Sequence, residues 1–169
     1  MGMRGAGAAF MPSKFVFPGG AVDPEDAQVA LARPLGPTCR ARLLQEEGLS
    51  SDAIAAAALR ELAEETGLLI GSPGGAPCGW PGHAKAGLTP DAGPLIYLFR
   101  AITPPGRPRR FDAHFFVADA ADIVGDPDDF GAACDELSHL HWVPLDQAGA
   151  LDLPFITEVV LAELTALIR

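Results

Sequence analysis

The residue types and spacing most suited to chemistry lie in one string, Arg60-Glu61-Leu62-Ala63-Glu64-Glu65-Thr66-Gly67-Leu68. Ala53 to Thr66 is dense in strong helix formers. Ser50 or Ser51 offers an N-cap, Asp52 a negative charge in the first turn and Gly67 a left-handed stop. On that helix Glu61 faces Glu64 at i+3 and Glu65 at i+4, so three carboxylates converge within a turn and repel one another. A hard divalent cation such as Mg²⁺ or Mn²⁺ relieves the repulsion, because it prefers carboxylate and water oxygens and bridges to phosphates. Arg60 can pair with Glu64 at i+4 and hold its rotamer. A solvated acidic face with ordinary i,i+4 pairing fits the same spacing, and geometry alone leaves the two level.

Other reactive residues are sparser. Arg107, Arg109 and Arg110 form the one dense basic cluster, suited to bidentate contact with phosphate or to a solubilising hairpin tip. His139 and His141 lie two apart on an expected strand but lack a third or fourth metal ligand. Cys39, Cys78 and Cys134 contain no C-x-x-C pair and read as reduced thiols of a cytoplasmic protein. Gly5-Ala6-Gly7 does not continue into a dinucleotide fingerprint, and neither a Walker loop nor a nucleophile elbow is present. The net charge of −10 repels polymeric nucleic acid and anionic membrane surfaces, whereas a small anion remains possible where a cation or a few arginines reverse the local field.

The elements that must position these groups follow from punctuation by 19 glycines and 16 prolines. The length of 169 residues suits a single domain spanning 1–169. Phe15 to Phe17 reads as a short strand stopped by Pro18-Gly19-Gly20. Residues 23–50 form a polar stretch with one helical piece from Arg40 to Glu47, and Leu68 to Ile70 a brief strand. Residues 71–94 read as a long irregular loop. Leu95–Phe99, Ala113–Val117 and Leu137–Val143 are strand candidates, and Phe155–Ile168 carries the apolar stripe of a closing helix. This alternation points to an α/β layered sandwich. No uncharged apolar run approaches the roughly 18 residues of a membrane span, and the N-terminal stretch does not read as a signal peptide.

Arg60 to Leu68 resembles the core of the Nudix box, G-x5-E-x7-R-E-U-x-E-E-x-G-U with U apolar: every fixed position from Arg60 onward matches, and Leu62 and Leu68 fill the apolar positions. Pro18-Gly19-Gly20 resembles the family's G-G turn, but residues 21–59 stand where the family has thirteen, a loop 26 residues longer. Asp26, six after Gly20, and Asp52, eight before Arg60, compete for the box's first acidic position. Met11 to Gly20, the long insertion, Ile102-Thr103-Pro104, Arg109-Arg110-Phe111-Asp112 before Phe115-Phe116, and Asp135-Glu136-Leu137 followed by Trp142-Val143-Pro144 resemble the Nudix branch related to peroxisomal coenzyme A diphosphatases.

The resemblance implies an α/β/α Nudix sandwich with a mixed sheet. The family's apolar strand ahead of the Pro-Gly-Gly turn is expected to be missing, because Met1 to Ala9 hold only Gly, Ala, Met and Arg. It also implies Mg²⁺- or Mn²⁺-dependent hydrolysis of a diphosphate linkage in a nucleoside diphosphate derivative, coenzyme A or its acyl esters first. ADP-ribose, nucleotide sugars, dinucleoside polyphosphates and a non-catalytic nucleotide sensor are the alternatives. Glu61, Glu64, Glu65 and the Gly19 carbonyl are the implied metal ligands. Glu61 is the implied base, with Glu136 as its alternative, and Arg60 completes the catalytic set. Arg107, Arg109 and Arg110 are the expected phosphate contacts. The expected partner is a small diphosphate compound, with a homodimer as the assembly allowed for.

Overall fold

The computed structural model describes residues 1–8, 11–43, 50–76, 78–106 and 110–168. Its centre is helix α2, Ser51–Thr66. Ser50 caps it by accepting the Ala53 N–H at 3.0 Å, and Gly67 ends it at φ 77° with its own N–H on the Ala63 carbonyl at 2.9 Å. A Cβ at Gly67 would lie 3.1 Å from the Ala132 backbone, so the left-handed turn and the close neighbour both favour glycine. The alanine-rich face buries Ala53, Ala55, Ala56 and Leu59. Ala55 and Leu59 join Leu35, Ile70, Ala92 and Leu95 in the core. Small side chains let neighbouring segments approach the helix closely, which fixes the position of its acidic face.

The described strands form three short sheets. Strands β1 (Gly2–Arg4), β2 (Phe15–Val16) and β7 (Leu137–Ser138) form one, in the order β2-β1-β7, with β1 antiparallel to both. A strand ahead of the Pro-Gly-Gly turn is therefore present, contrary to expectation. It forms although it lacks β-branched and aromatic residues, because backbone pairing on both edges holds it. Gly2 also leaves room where a Cβ would come 2.8 Å from both Leu137 Cβ and Leu140 Cδ2. Residues 71–94 are likewise not irregular throughout. Strand β3 (Gly71–Pro73) pairs with β4 (Leu88–Pro90), and helix α3 (Pro81–Ala86) lies between them. Pro81 stands in the first turn of α3 and Gly87 stops it at φ 67°, so the dense Gly and Pro here bracket short elements.

Strands β5 (Ile96–Ile102) and β6 (Asp112–Val117) form the expected antiparallel hairpin, with a bulge between Tyr97 and Phe99. Leu68–Ile70 contributes one isolated bridge, Leu69 to Val124, instead of a strand. The strand expected over 137–143 stops at Ser138, since His139 turns the chain at φ 53°. In the insertion, α1 spans Pro37–Leu43, starting earlier than Arg40, while residues 44–47 of the expected helix lie outside the described residues. Helix α4, Phe155–Leu167, closes the chain as expected.

Candidate active site

Arg60 is the hub of the acidic face and is 8% exposed. Its Nε and Nη2 donate to Asp26 Oδ1 and Oδ2 at 2.9 and 3.1 Å, and Nη2 also reaches the Ala21 carbonyl at 2.9 Å. Nη1 donates to Glu61 Oε1 at 2.8 Å and Glu64 Oε2 at 3.2 Å, realising the expected i,i+4 pair. These contacts, the Asp26 hydrogen bonds above all, hold the guanidinium firmly protonated. Asp26 sits in a 3-10 turn, Pro24–Gln28, where its Oδ2 also accepts the Asp23 N–H at 2.8 Å. Of the two candidates for the first acidic position, Asp26 is buried against Arg60, while Asp52 pairs with Arg40 at 3.0 Å nearer the surface.

The Pro-Gly-Gly turn packs on the same helix. The Gly19 N–H donates to Glu65 Oε2 at 2.7 Å, and a Cβ on Gly20 would fall 2.3 Å from Glu61 Oε1. Gly20 is thus a position where the backbone must pass close to a carboxylate. Glu65 is 2% exposed. Burial pushes its carboxyl up to about 7; repulsion from Glu136 and Glu61 adds to this, while the Gly19 N–H and Arg4 oppose it. Glu61 is raised as well, by burial first and by its acidic neighbours Glu64 and Glu136, against the pull of Arg60. Glu136, in the turn before β7, is therefore close enough to act on both helix carboxylates. Arg4 on β1 holds it through a 3.0 Å ion pair.

Among the expected site residues the fold brings together Gly19, Arg60, Glu61, Glu64, Glu65 and Glu136. Asp23, Asp26 and Arg4 join them. Asp26 was legible as one of two candidates, whereas Arg4 carried no local signal, since its role depends on β1 pairing beside the Glu136 turn. As arranged, no three His, Cys, Asp or Glu side chains among the described residues form a metal-binding cluster, because Arg60 draws Glu61 and Glu64 toward itself. Arg107 and Arg109 lie outside the described residues. Arg110 uses its Nε on the Thr103 carbonyl across the end of the hairpin. His141 Nδ1 lies 2.7 Å from the His139 carbonyl, and the two do not share the face of a strand. A cavity of about 500 Å³ borders α2, with Arg60 and Glu64 in one wall and α3 forming the other.

No family model matches the chain. It is 29% identical over 160 residues to a Caenorhabditis elegans protein provisionally named nudix hydrolase 7; the match takes in 83% of this chain and 44% of that protein, so the chain spans less than half the length of this curated relative. The crystal structure of a NUDIX hydrolase from Alicyclobacillus acidocaldarius superposes with a TM-score of 0.61 at 28% identity, over 95% of this chain and 80% of that one. The chain thus has the mixed α/β fold of a Nudix hydrolase, and it is similar in sequence to Nudix hydrolases along most of its length.

Proposed function

We propose that this protein hydrolyses the diphosphate linkage of a nucleoside diphosphate derivative with Mg²⁺ or Mn²⁺. Coenzyme A and its acyl esters are the first candidates, followed by ADP-ribose, nucleotide sugars and dinucleoside polyphosphates. The supporting observation is the charge around α2. Among the described residues, Asp23, Asp26, Glu61, Glu64, Glu65 and Glu136 meet two guanidinium groups, those of Arg4 and Arg60. Burial first, and these acidic neighbours second, raise the pKa values of Glu61 and Glu65. A hard cation fits such an oxygen-only donor set. Glu61, Glu64, Glu65 and the Gly19 carbonyl are the groups that would hold it. When bound, it neutralises phosphate charge and polarises the phosphoryl oxygen.

The chain's own residues supply the rest. Arg60 orients Glu61 and Glu64, and the Gly19 N–H fixes Glu65. Glu61 Oε2 is the acceptor for the proton of the attacking water, with Glu136 the alternative base. Phosphoryl transfer requires positioning and charge stabilisation more than covalent chemistry, and a rigid acidic helix provides both. A sensor that merely binds nucleotide has no need of all three box carboxylates, and all three are retained. The test is a panel of diphosphate compounds assayed with and without Mg²⁺. Release of monophosphate products that requires metal and falls at least about 100-fold in Glu64→Gln and Glu65→Gln supports hydrolysis. Unchanged turnover in those variants, or no release from any compound, refutes it.

A further inference from the structure

The cavity beside α2 adjoins the acidic site through Arg60 and Glu64 and extends away from it toward α3. Arg60, Ala63, Glu64 and Gly67, at i, i+3, i+4 and i+7, line one side, and α3 with its N-cap lines the other through Trp80 and Lys85. Its volume, about 500 Å³, falls within the range of small-molecule sites. Trp80 is half-buried, and its indole meets the His83 ring edge-on, with centroids 5.5 Å apart and planes at 65°. His83 is itself fully buried with its Nε2 3.2 Å from the Ile70 carbonyl, so the indole leans on a fixed support. Trp80 packs in part against the core, and the small residues Ala63, Gly67, Gly82, Ala86 and Ala132 line the cavity it borders. Arg60 spends its nitrogens on Asp26, Ala21, Glu61 and Glu64. Lys85 is exposed and has no ion pair with a described residue, which makes it the groove's available cation.

We infer that this groove receives the nucleobase of the diphosphate substrate, stacked on Trp80, with Lys85 pairing a phosphate on the same nucleotide. This rests on the proposed diphosphatase reading and extends it to the part of the substrate that does not react. Continuity favours it, since Arg60 and Glu64 belong to both the groove and the acidic site. Charge favours it too. A phosphate approaching a face crowded with carboxylates gains from a groove cation that has no ion pair with a described residue, and every base presents a π-face to an indole. A flexible alkyl chain is the competing occupant and is separated by the test.

The test uses the full chain carrying Trp142→Phe, which leaves Trp80 as the sole tryptophan; Trp142 lies apart, bonded to the Pro127 carbonyl. With EDTA present to suppress turnover, ADP should quench Trp80 fluorescence saturably, while inorganic pyrophosphate and octanoate should not. Trp80→Leu should weaken ADP binding about tenfold by calorimetry. Lys85→Ala, a surface change that leaves the core intact, should weaken ADP binding severalfold and adenosine binding little. In the hydrolysis assay both variants should raise KM more than they lower kcat. Quenching by pyrophosphate or octanoate equal to that by ADP, or ADP binding unchanged in both variants, overturns the groove. Intact ADP binding without hydrolysis of any compound refutes the diphosphatase reading and leaves the groove standing.

Discussion

Replacing Asp26 by Asn separates the two acids that compete for the first acidic position of the box. Asp26 is 2% exposed and gives both carboxylate oxygens to Arg60 at 2.9 and 3.1 Å. Removing one partner of a buried ion pair costs about 3–5 kcal/mol. The lower end applies here, because Asn keeps one acceptor and Arg60 retains Glu61, Glu64 and Ala21. About 3 kcal/mol in a domain of this size lowers Tm by roughly 6–12 °C. Asp52→Asn removes a pair whose side chains are 40% and 37% exposed. Such a pair, together with the favourable first-turn charge, amounts to about 1 kcal/mol. Urea unfolding of both variants at pH 7, followed by circular dichroism, should therefore show Asp26→Asn less stable than Asp52→Asn by about 2 kcal/mol. Asp26→Asn should also lose at least about tenfold in kcat/KM as Arg60 shifts under Glu61. Equal destabilisation, or the reverse order, would refute Asp26 as the anchor of Arg60.

Gly20→Ala should lower kcat about tenfold or more, because the added methyl collides with the carboxylate end of Glu61 and displaces it from Arg60; wild-type kcat in this variant would dismiss the close approach. His83 titrates in the other direction from the acids. Burial lowers its pKa below the ordinary 6.5, so the folded protein keeps it neutral while the unfolded chain binds a proton as the pH falls below about 6.5. Its contribution to stability is present above about pH 6.5 and is lost progressively as the pH falls below it. His83→Gln, which keeps an amide N–H for the Ile70 carbonyl, should flatten thermal stability below that pH, and a pH profile parallel to wild type would exclude His83 as the source.

The acidic helix was legible because its signals are local. Composition, the Ser50 cap and Gly67 all act within one segment, and the structure keeps each of them. The β5–β6 hairpin was legible for the same reason, from aromatic and branched residues around a Gly/Pro turn. Strand β1 was not legible. Gly2-Met3-Arg4 has no strand propensity of its own and becomes a strand through pairing with Phe15–Val16 on one edge and Leu137–Ser138 on the other, residues distant in the chain. The stretch 71–94 misled differently: β3, α3 and β4 span three, six and three residues, too short for any apolar period to emerge between their glycines and prolines. Within the site, the place of Arg4 beside Glu136 and the contact of Asp26 with Arg60 depend on tertiary contact alone.

The long insertion leaves the box intact for a reason that can be put in energies. Extending a connection by some 26 residues adds on the order of 1 kcal/mol of closure entropy, since that cost grows only with the logarithm of length. The contacts that define the site are made before the added length begins to matter. Gly19 reaches Glu65, Gly20 abuts Glu61, and Ala21 and Asp26 reach Arg60, all within eight residues of one another. The described part of the insertion beyond them is tied to the rest of the fold by arginines. Arg33 binds the buried Asp91 at 2.8–3.0 Å, Arg40 meets Asp52, and Arg42 donates to the carbonyls of Tyr97 and Leu98 while lying over the Tyr97 ring. Each tether lies outside the acidic site and spans a different pair of elements. The box's linear spacing is therefore free to vary, provided that a glycine turn and one acid six residues later still close on Arg60.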